Sequence, residues 1–164
     1  MTLDTSFFLN DPAGDLGVGQ TLEFDKNPTV LLVFAANRFT RNAARVYQDK
    51  YGIGAMDWRM LVMLTKEPNI PVARASRVIG IDKAAVSRSL GRLYEKQLAL
   101  PTIPEGDARR KIWKLSSEGV MLHSEILKDA LGRQQKILKN FSDRDVVQFN
   151  DYLQRLLDNL EALE

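Results

Sequence analysis

Residues 72–115 read VARASRVIGIDKAAVSRSLGRLYEKQLALPTIPEGDARRKIWKL and carry a strong excess of positive charge. The segment has ten Lys and Arg residues against four Asp and Glu residues, a net charge of +6, whereas the whole chain carries +2. The rest of the sequence is therefore net negative. Basic residues concentrated in one continuous segment indicate a polyanionic partner.

Two helical patterns lie on either side of Gly80 in this segment. The first spans residues 72–79, and Gly80 provides the left-handed residue on which helices often end. Asp82 is suited to cap the second helix, which we expect to continue to about Gln97. Two short helices joined by such a turn, with the second one longer and basic, are typical of proteins that place a helix in a groove of DNA.

The composition excludes several classes of protein. The 164 residues suffice for one domain with its own core, and 45% hydrophobic and 27% charged residues are typical of a globular protein. The lack of Cys excludes disulfides, zinc–thiolate sites and sensing by thiol oxidation, and a single His disfavours a histidine metal centre. Neither a signal peptide nor an apolar stretch of about 18 residues is present. We therefore expect a cytoplasmic protein without a cofactor and without membrane contact.

The flanking sequence predicts four further helices. Each begins at a residue suited to capping, and apolar residues recur at helical spacing after it. We interpret residues 69–71 as a tight connector and residues 1–26 as an N-terminal arm. The predicted caps and approximate ends are Asn27 to Lys50, Asp57 to Lys66, Ser116 or Ser117 to Lys139, and Ser142, in a capping box with Asp145, onward.

The last helix has an apolar seam with heptad spacing, formed by Val146, Phe149, Leu153, Leu156, Leu160 and Leu163. A single small domain cannot easily cover so long a seam at its C-terminus, so we expect it to meet another subunit. The alternative is that the seam packs only on the first helix of its own chain. Both arrangements are compatible with each other.

The helix that follows Asp82 has an apolar side and a basic side. Its inward side is predicted to hold Val86, Leu90, Leu93 and Tyr94. Its outward side holds Lys83, Ala84, Ser87, Arg88 and Gly91. The major groove admits a helix of this width, in which Arg88 can reach guanine edges or phosphate and Ser87 can bond to base or backbone. Arg92 is predicted to contact phosphate. The alternative is a solvated basic face, as on most charged helices.

A second basic element is the predicted hairpin of residues 98–103 and 111–115. Its loop carries Arg109, Arg110 and Lys111, and a narrow minor groove attracts Arg through its negative potential. Asp107 is expected to hold Arg109 or the loop amides rather than to touch DNA. The alternative is a charged surface turn.

Taken together, residues 56–119 resemble the MarR family of winged helix–turn–helix transcription regulators. The matching pieces are Val72-Ala73 with Val78-Ile79-Gly80-Ile81, then Asp82-Lys83, Val86-Ser87-Arg88, Leu90 and Leu93, the wing residues Asp107-Ala108-Arg109, and Leu115-Ser116 with Gly119. Gln97 departs from the pattern, because the family usually has Gly there.

The resemblance implies a mainly α fold with a small β-hairpin wing. It implies one domain at 27–164, in which residues 27–55 and 117–164 form a dimerisation body and residues 56–116 the DNA-binding lobe. It also implies a homodimer on double-stranded DNA, with Arg109 in the minor groove. The family function would be that of a repressor released from a pseudo-palindromic operator.

Many members of the family respond to small aromatic acids bound between the body and the DNA-binding lobe, so the resemblance also implies a ligand site. Arg38, Arg41 and Arg45 lie on one face of the first helix, where an arginine could bind a carboxylate. Trp58 could cover a ring, and His123 is a further candidate. The alternative is a solvated arginine stripe, a core Trp and a satisfied His.

Two other functions compete with DNA-binding regulation. A winged helix can bind protein and lack a ligand response, in which case DNA affinity would not fall steeply with salt. An enzyme is disfavoured, because the sequence shows neither a nucleophile–base pair, nor a phosphate loop, nor a metal-ligand cluster.

Overall fold

The first long helix, α1 (Pro28–Tyr51), begins where the sequence predicts, because Asn27 accepts hydrogen bonds from the backbone N–H groups of Thr29 and Val30. It ends at Gly52, which has a left-handed backbone with φ 64°. The protein is described here from a computed structural model, which covers residues 3–10, 20–104 and 111–163.

The N-terminal arm contains a short 3-10 turn at Thr5–Phe8 and a small ladder that precedes α1. Strand β1 (Leu9–Asn10) pairs antiparallel with β2 (Thr21–Leu22). Phe24 meets Phe34 of α1 edge to face, with ring centroids 5.5 Å apart. This contact brings the end of the arm against the first long helix.

Helix α2 (Ala55–Lys66) ends as predicted, but the prediction that Asp57 is its N-cap is wrong. The helix starts after Gly54, whose extended backbone leads into it, and Asp57 is the third helical residue. The carboxylate of Asp57 reaches back and accepts the N–H of Gly54 at 3.1 Å, so it satisfies the helix start from inside the first turn.

The interpretation of residues 69–71 as a connector is also wrong, because Ile70–Pro71 forms strand β3. Helices α3 (Val72–Ile79) and α4 (Lys83–Glu95) follow, with Gly80 at φ 68° between them and Asp82 accepting from the N–H of Ala85. Both caps confirm the sequence analysis. Two residues are too few for a strand pattern, so β3 is defined only by its partner strand.

The wing is a three-stranded antiparallel sheet with the order β3, β5, β4. Strand β4 is Ala99–Thr102 and strand β5 is Ile112–Leu115, with Pro101 opposite Trp113. Pro101 is tolerated because β4 is an edge strand. The predicted hairpin is therefore confirmed in its strands, and residues 105–110 lie outside the described residues.

Two helices complete the described chain, α5 (Ser117–Ile137) and α6 (Asp143–Glu161). Of the two predicted caps for α5, the structure uses Ser116, whose Oγ accepts the N–H of Gly119 at 2.9 Å and donates to the carbonyl of Gln97 at 2.7 Å. The capping box of Ser142 with Asp145 is confirmed.

The core lies where α2 packs on α4, on the wing and on α5. Its fully buried side chains are Ile53, Met60, Leu61, Val86, Leu90, Leu93 and Ile126. Helix α6 contributes no buried residue, and of its seam only Val146, Leu153 and Leu156 are partly covered. The apolar seam of α6 is thus mostly exposed in a single chain.

Candidate nucleic-acid interface

Helix α4 presents one buried side and one open side. Val86, Leu90 and Leu93 are at most 1% exposed, as the sequence predicted. Tyr94 differs from the prediction: it is 53% exposed, because it lies at the border of the buried side, and its ring meets Trp113 edge to face at 6.4 Å. The open side is formed by Lys83, Ala84, Ser87 and Arg88, which are exposed, and Gly91, which is half-buried. This side has the size and charge that a DNA groove requires.

Arg92 is on the border between the two sides of α4 and is held by Asp57 of α2. Its Nη2 donates to Oδ1 of Asp57 at 2.6 Å and its Nε donates to Oδ2 at 3.3 Å. Ser89, which is fully buried, also donates to Oδ1 at 2.6 Å. The bond to Asp57 raises the pKa of the Arg92 guanidinium, so it further favours the charged form of this side chain.

Sequence reasoning did not identify this role of Asp57 and Ser89. The partners Asp57 and Arg92 are 35 residues apart, so no local spacing connects them. In the sequence, Asp57 stands out only as a carboxylate near the start of a helix, which predicts a cap.

The wing strands are anchored to α4 by Trp113, which is 4% exposed. The Lys111 ammonium lies 4.7 Å from the centroid of the Trp113 ring. Lys111 is therefore held immediately before strand β5 of the wing. The candidate residues Asp107, Arg109 and Arg110 lie outside the described residues, so their contacts stay predictions.

The structure brings together two of the five candidate ligand residues. Trp58 of α2 stacks on His123 of α5. Tyr47 of α1 also contacts Trp58, with ring centroids 5.7 Å apart. Burial lowers the pKa of His123, so the neutral imidazole is favoured. Arg38, Arg41 and Arg45 are exposed and line a shallow surface cavity with Asn42 instead. Within the described residues, no hydrogen bond or cation–π contact joins the arginine stripe to the Trp58–His123 stack.

A cation that the sequence analysis missed lies beside this aromatic cluster. The guanidinium of Arg133 is 5.2 Å from the ring centroid of Tyr47 and 5.8 Å from that of Phe39, and it donates to Asn42 at 3.0 Å. Arg133 belongs to α5, far along the chain from α1, so its helical spacing alone did not single it out. The arrangement places one cation on the ring of Tyr47, which in turn contacts Trp58.

Two properties of the described residues bear on other functions. No described helix is long and apolar enough to cross a membrane. Among the described residues, no group of three or more His, Asp or Glu side chains is placed to hold a metal ion.

The sequence matches no protein-family model and no curated protein. The fold, in contrast, is similar to those of solved transcriptional regulators. A MarR/EmrR family transcriptional regulator from Acinetobacter sp. ADP1 is 26% identical, with a TM-score of 0.81 over 86% of this chain and 99% of that chain.

Two further structures share the fold at lower identity. BpsR from Bordetella bronchiseptica, whose DNA binding is regulated by 6-hydroxynicotinic acid, is 20% identical with a TM-score of 0.75, over 84% of this chain and 98% of that chain. PcaV from Streptomyces coelicolor, solved with its natural ligand, is 18% identical with a TM-score of 0.71, over 84% and 96% of the two chains. The order of helices, the three-stranded wing and this likeness over most of the chain show that the protein has the winged helix–turn–helix fold of MarR-family transcriptional regulators.

Proposed function

We propose that the protein is a dimeric, sequence-specific DNA-binding transcriptional regulator that acts as a repressor. The observation that carries this proposal is the open side of α4, where Lys83, Ser87 and Arg88 are exposed on a helix whose other side is locked into the core. A rigid helix with a basic, small-residue surface suits the major groove. The wing, with Lys111 at its base and Arg109 and Arg110 in its loop, is proposed to grip the backbone and minor groove beside it.

The dimer is proposed to form through residues 27–55 and 117–164, with residues 56–116 as the DNA-binding lobe and residues 1–26 as an arm. The support is an apolar cleft of about 490 Å³ between the start of α1 and the seam of α6. It is lined by Leu31, Leu32, Phe149, Tyr152, Leu153 and Leu156. An open cleft between two helices of the same chain leaves apolar surface that a second subunit can cover.

A dimer of this kind would place one α4 in each of two successive major grooves. The half-sites of the operator would then be related by a two-fold axis and separated by about one helical turn. A ligand that favours a different spacing of the two lobes would release the DNA. The size of this effect is limited by the difference between the ligand's affinities for the DNA-bound and the released forms of the dimer.

The ligand is proposed to be a small aromatic carboxylate. Trp58 and His123 supply flat surfaces for a ring, and Arg133 supplies a cation beside Tyr47, which packs against Trp58. Arg38, Arg41 and Arg45, which line a separate surface cavity with Asn42, are proposed as an alternative binding place for a carboxylate. The regulation of BpsR by 6-hydroxynicotinic acid, an aromatic acid, supports this ligand class for a protein of the same fold.

The proposed function is tested by letting the purified protein select duplexes from a random-sequence pool. We expect a pseudo-palindromic sequence to be enriched, and its affinity to fall steeply as salt rises, since each phosphate contact releases counterions. The enriched duplex is then titrated with 6-hydroxynicotinic acid and benzoic acid to test for release. A pool that stays random after selection would contradict sequence-specific binding and favour an interaction module instead.

A further inference from the structure

Asp57 joins the start of α2 to the inner border of α4. It is 2% exposed, and its two oxygens accept four hydrogen bonds, from the N–H of Gly54, from Ser89 Oγ, and from Nε and Nη2 of Arg92. A buried carboxylate with this many donors is fully satisfied and held in one position. It therefore also fixes the orientation of the arginine that binds it.

Arg92 is held on one edge only. Its side chain is 46% exposed, and within the described residues its Nη1 has no hydrogen-bond partner in the protein. Arg92 comes one helical turn after Arg88, so its free edge adjoins the side of α4 that is open to DNA. An arginine that is already fixed by one partner loses less rotamer freedom when it binds a second, such as a phosphate.

We propose that Asp57 is a positioning residue for DNA binding, which fixes Arg92 so that its free edge meets a backbone phosphate at one defined place and sets the register of α4 in the groove. This inference rests on the proposed function. Phosphate contacts carry no sequence information themselves, but they determine where the base-reading side chains come to lie. Asp57 thus contributes to selectivity without touching DNA.

If the Asp57–Arg92 ion pair only stabilised the fold, its loss would affect DNA binding differently from the loss of a positioning contact. Loss of a structural contact lowers the folded fraction and weakens binding to every duplex by the same factor. Loss of a positioning contact releases Arg92 from its fixed place while removing the negative charge that neutralises it. Binding to a random duplex is then unchanged or tighter, and only the preference for the selected duplex falls.

The test compares the affinity for the duplex that the wild-type protein enriches with the affinity for a random duplex of equal length. For Asp57→Asn we expect a loss of about tenfold on the enriched duplex and no loss on the random one. In an Arg92→Ala background the same Asp57→Asn change should have no further effect on selectivity, because Asp57 acts through Arg92. The matched control is Asp129→Asn, which removes another interhelical carboxylate, bound to Lys50 and Tyr51 of α1, and should leave the preference unchanged.

Circular dichroism establishes that each variant is folded at the assay temperature. If Asp57→Asn does not fold, Arg92→Lys decides, because it changes only a half-exposed side chain and keeps its charge but cannot span both carboxylate oxygens. We expect it to lose about tenfold on the enriched duplex and to keep its affinity for the random duplex. Equal losses on both duplexes, or an unchanged preference in either variant, overturn the positioning role. Failure of the wild-type protein to enrich any sequence instead overturns the proposed function, and this inference with it.

Discussion

The indole ring of Trp58 lies almost parallel to the imidazole ring of His123, with centroids 5.3 Å apart and an angle of 21° between the planes. This stack joins α2, which carries Asp57 in its first turn, to α5 of the proposed dimerisation body. Tyr47 extends the cluster to α1 through its contact with Trp58. The proposed DNA-binding lobe and the proposed dimerisation body thus meet in an aromatic cluster that contains a titratable side chain, His123.

Acidification should destabilise the protein through His123. Burial lowers the pKa of His123 in the folded state, whereas the unfolded chain protonates near 6.5. Between these two pKa values the unfolded state binds more protons, so stability is retained above about pH 6.5 and falls as the pH drops toward the folded value. Urea denaturation at pH 7.5 and 5.5 measures the change, and His123→Gln should reduce it. Identical pH dependence in the two proteins would show that other groups are responsible.

Arg88 should contribute to base selectivity. If Arg88 reads a base, Arg88→Ala should cost roughly 1–3 kcal/mol on the enriched duplex and relax the preference at one base position. Competition binding against duplexes changed at single positions measures both effects. Arg155→Ala, on the surface of α6, removes an exposed arginine elsewhere and serves as the control. Equal weakening on specific and random duplexes would instead identify Arg88 as a phosphate contact.

The seam of α6 should control the oligomeric state. Leu156→Asp places a charge in the cleft between α1 and α6, where a second subunit is proposed to pack, so we expect monomers that bind DNA weakly. Leu153→Asp should likewise give monomers that bind DNA weakly. Val147→Asp is the matched control, because Val147 is 70% exposed and points away from the seam. Light scattering measures the mass, and a Leu156→Asp protein that remains dimeric would contradict the seam assignment.

Gly119 should be intolerant of any side chain. A Cβ atom at this position would lie 2.0 Å from the carbonyl oxygen of Leu98, because the first turn of α5 packs directly on the start of β4. We expect Gly119→Ala to cost about 2–3 kcal/mol of unfolding free energy. Gly132→Ala, in the same helix with open space around it, should stabilise by about 0.5–1 kcal/mol. Thermal unfolding of both variants tests the contrast, and similar effects at the two sites would contradict it.

Replacing Gln97 with glycine should increase the stability of the protein. It has φ 59°, a left-handed backbone that strains a residue with a Cβ atom, and its side chain is exposed. Gln97→Gly is therefore expected to stabilise the protein by about 1 kcal/mol. Asn140 has φ 72°, but Asn tolerates this region better, so Asn140→Gly should gain less. Chemical denaturation compares the two, and a destabilised Gln97→Gly variant would show that the side chain has a contact worth more than the strain.

At residue 97 the sequence has Gln where the MarR family usually has Gly, and the structure shows what this position requires. The resemblance to the MarR family implies glycine at this position. The structure supplies a reason, because α4 ends at Glu95 and the chain turns through a left-handed residue into β4. The sequence alone placed the helix end two residues too late, since Lys96 and Gln97 have no property that stops a helix. The turn is imposed by the pairing of β4 with β5 and by the bond from Ser116 to the carbonyl of Gln97.

By itself, the sequence determined the helices and the basic side of α4. Caps at Asn27, Asp82 and Ser142 close hydrogen bonds within three residues, and apolar spacing defines a buried side without reference to distant residues. Only the tertiary structure decided that Ile70–Pro71 is a strand and that Asp57 holds Arg92. Those contacts join residues that are far apart along the chain, and they exist only once the folded core brings their backbones together.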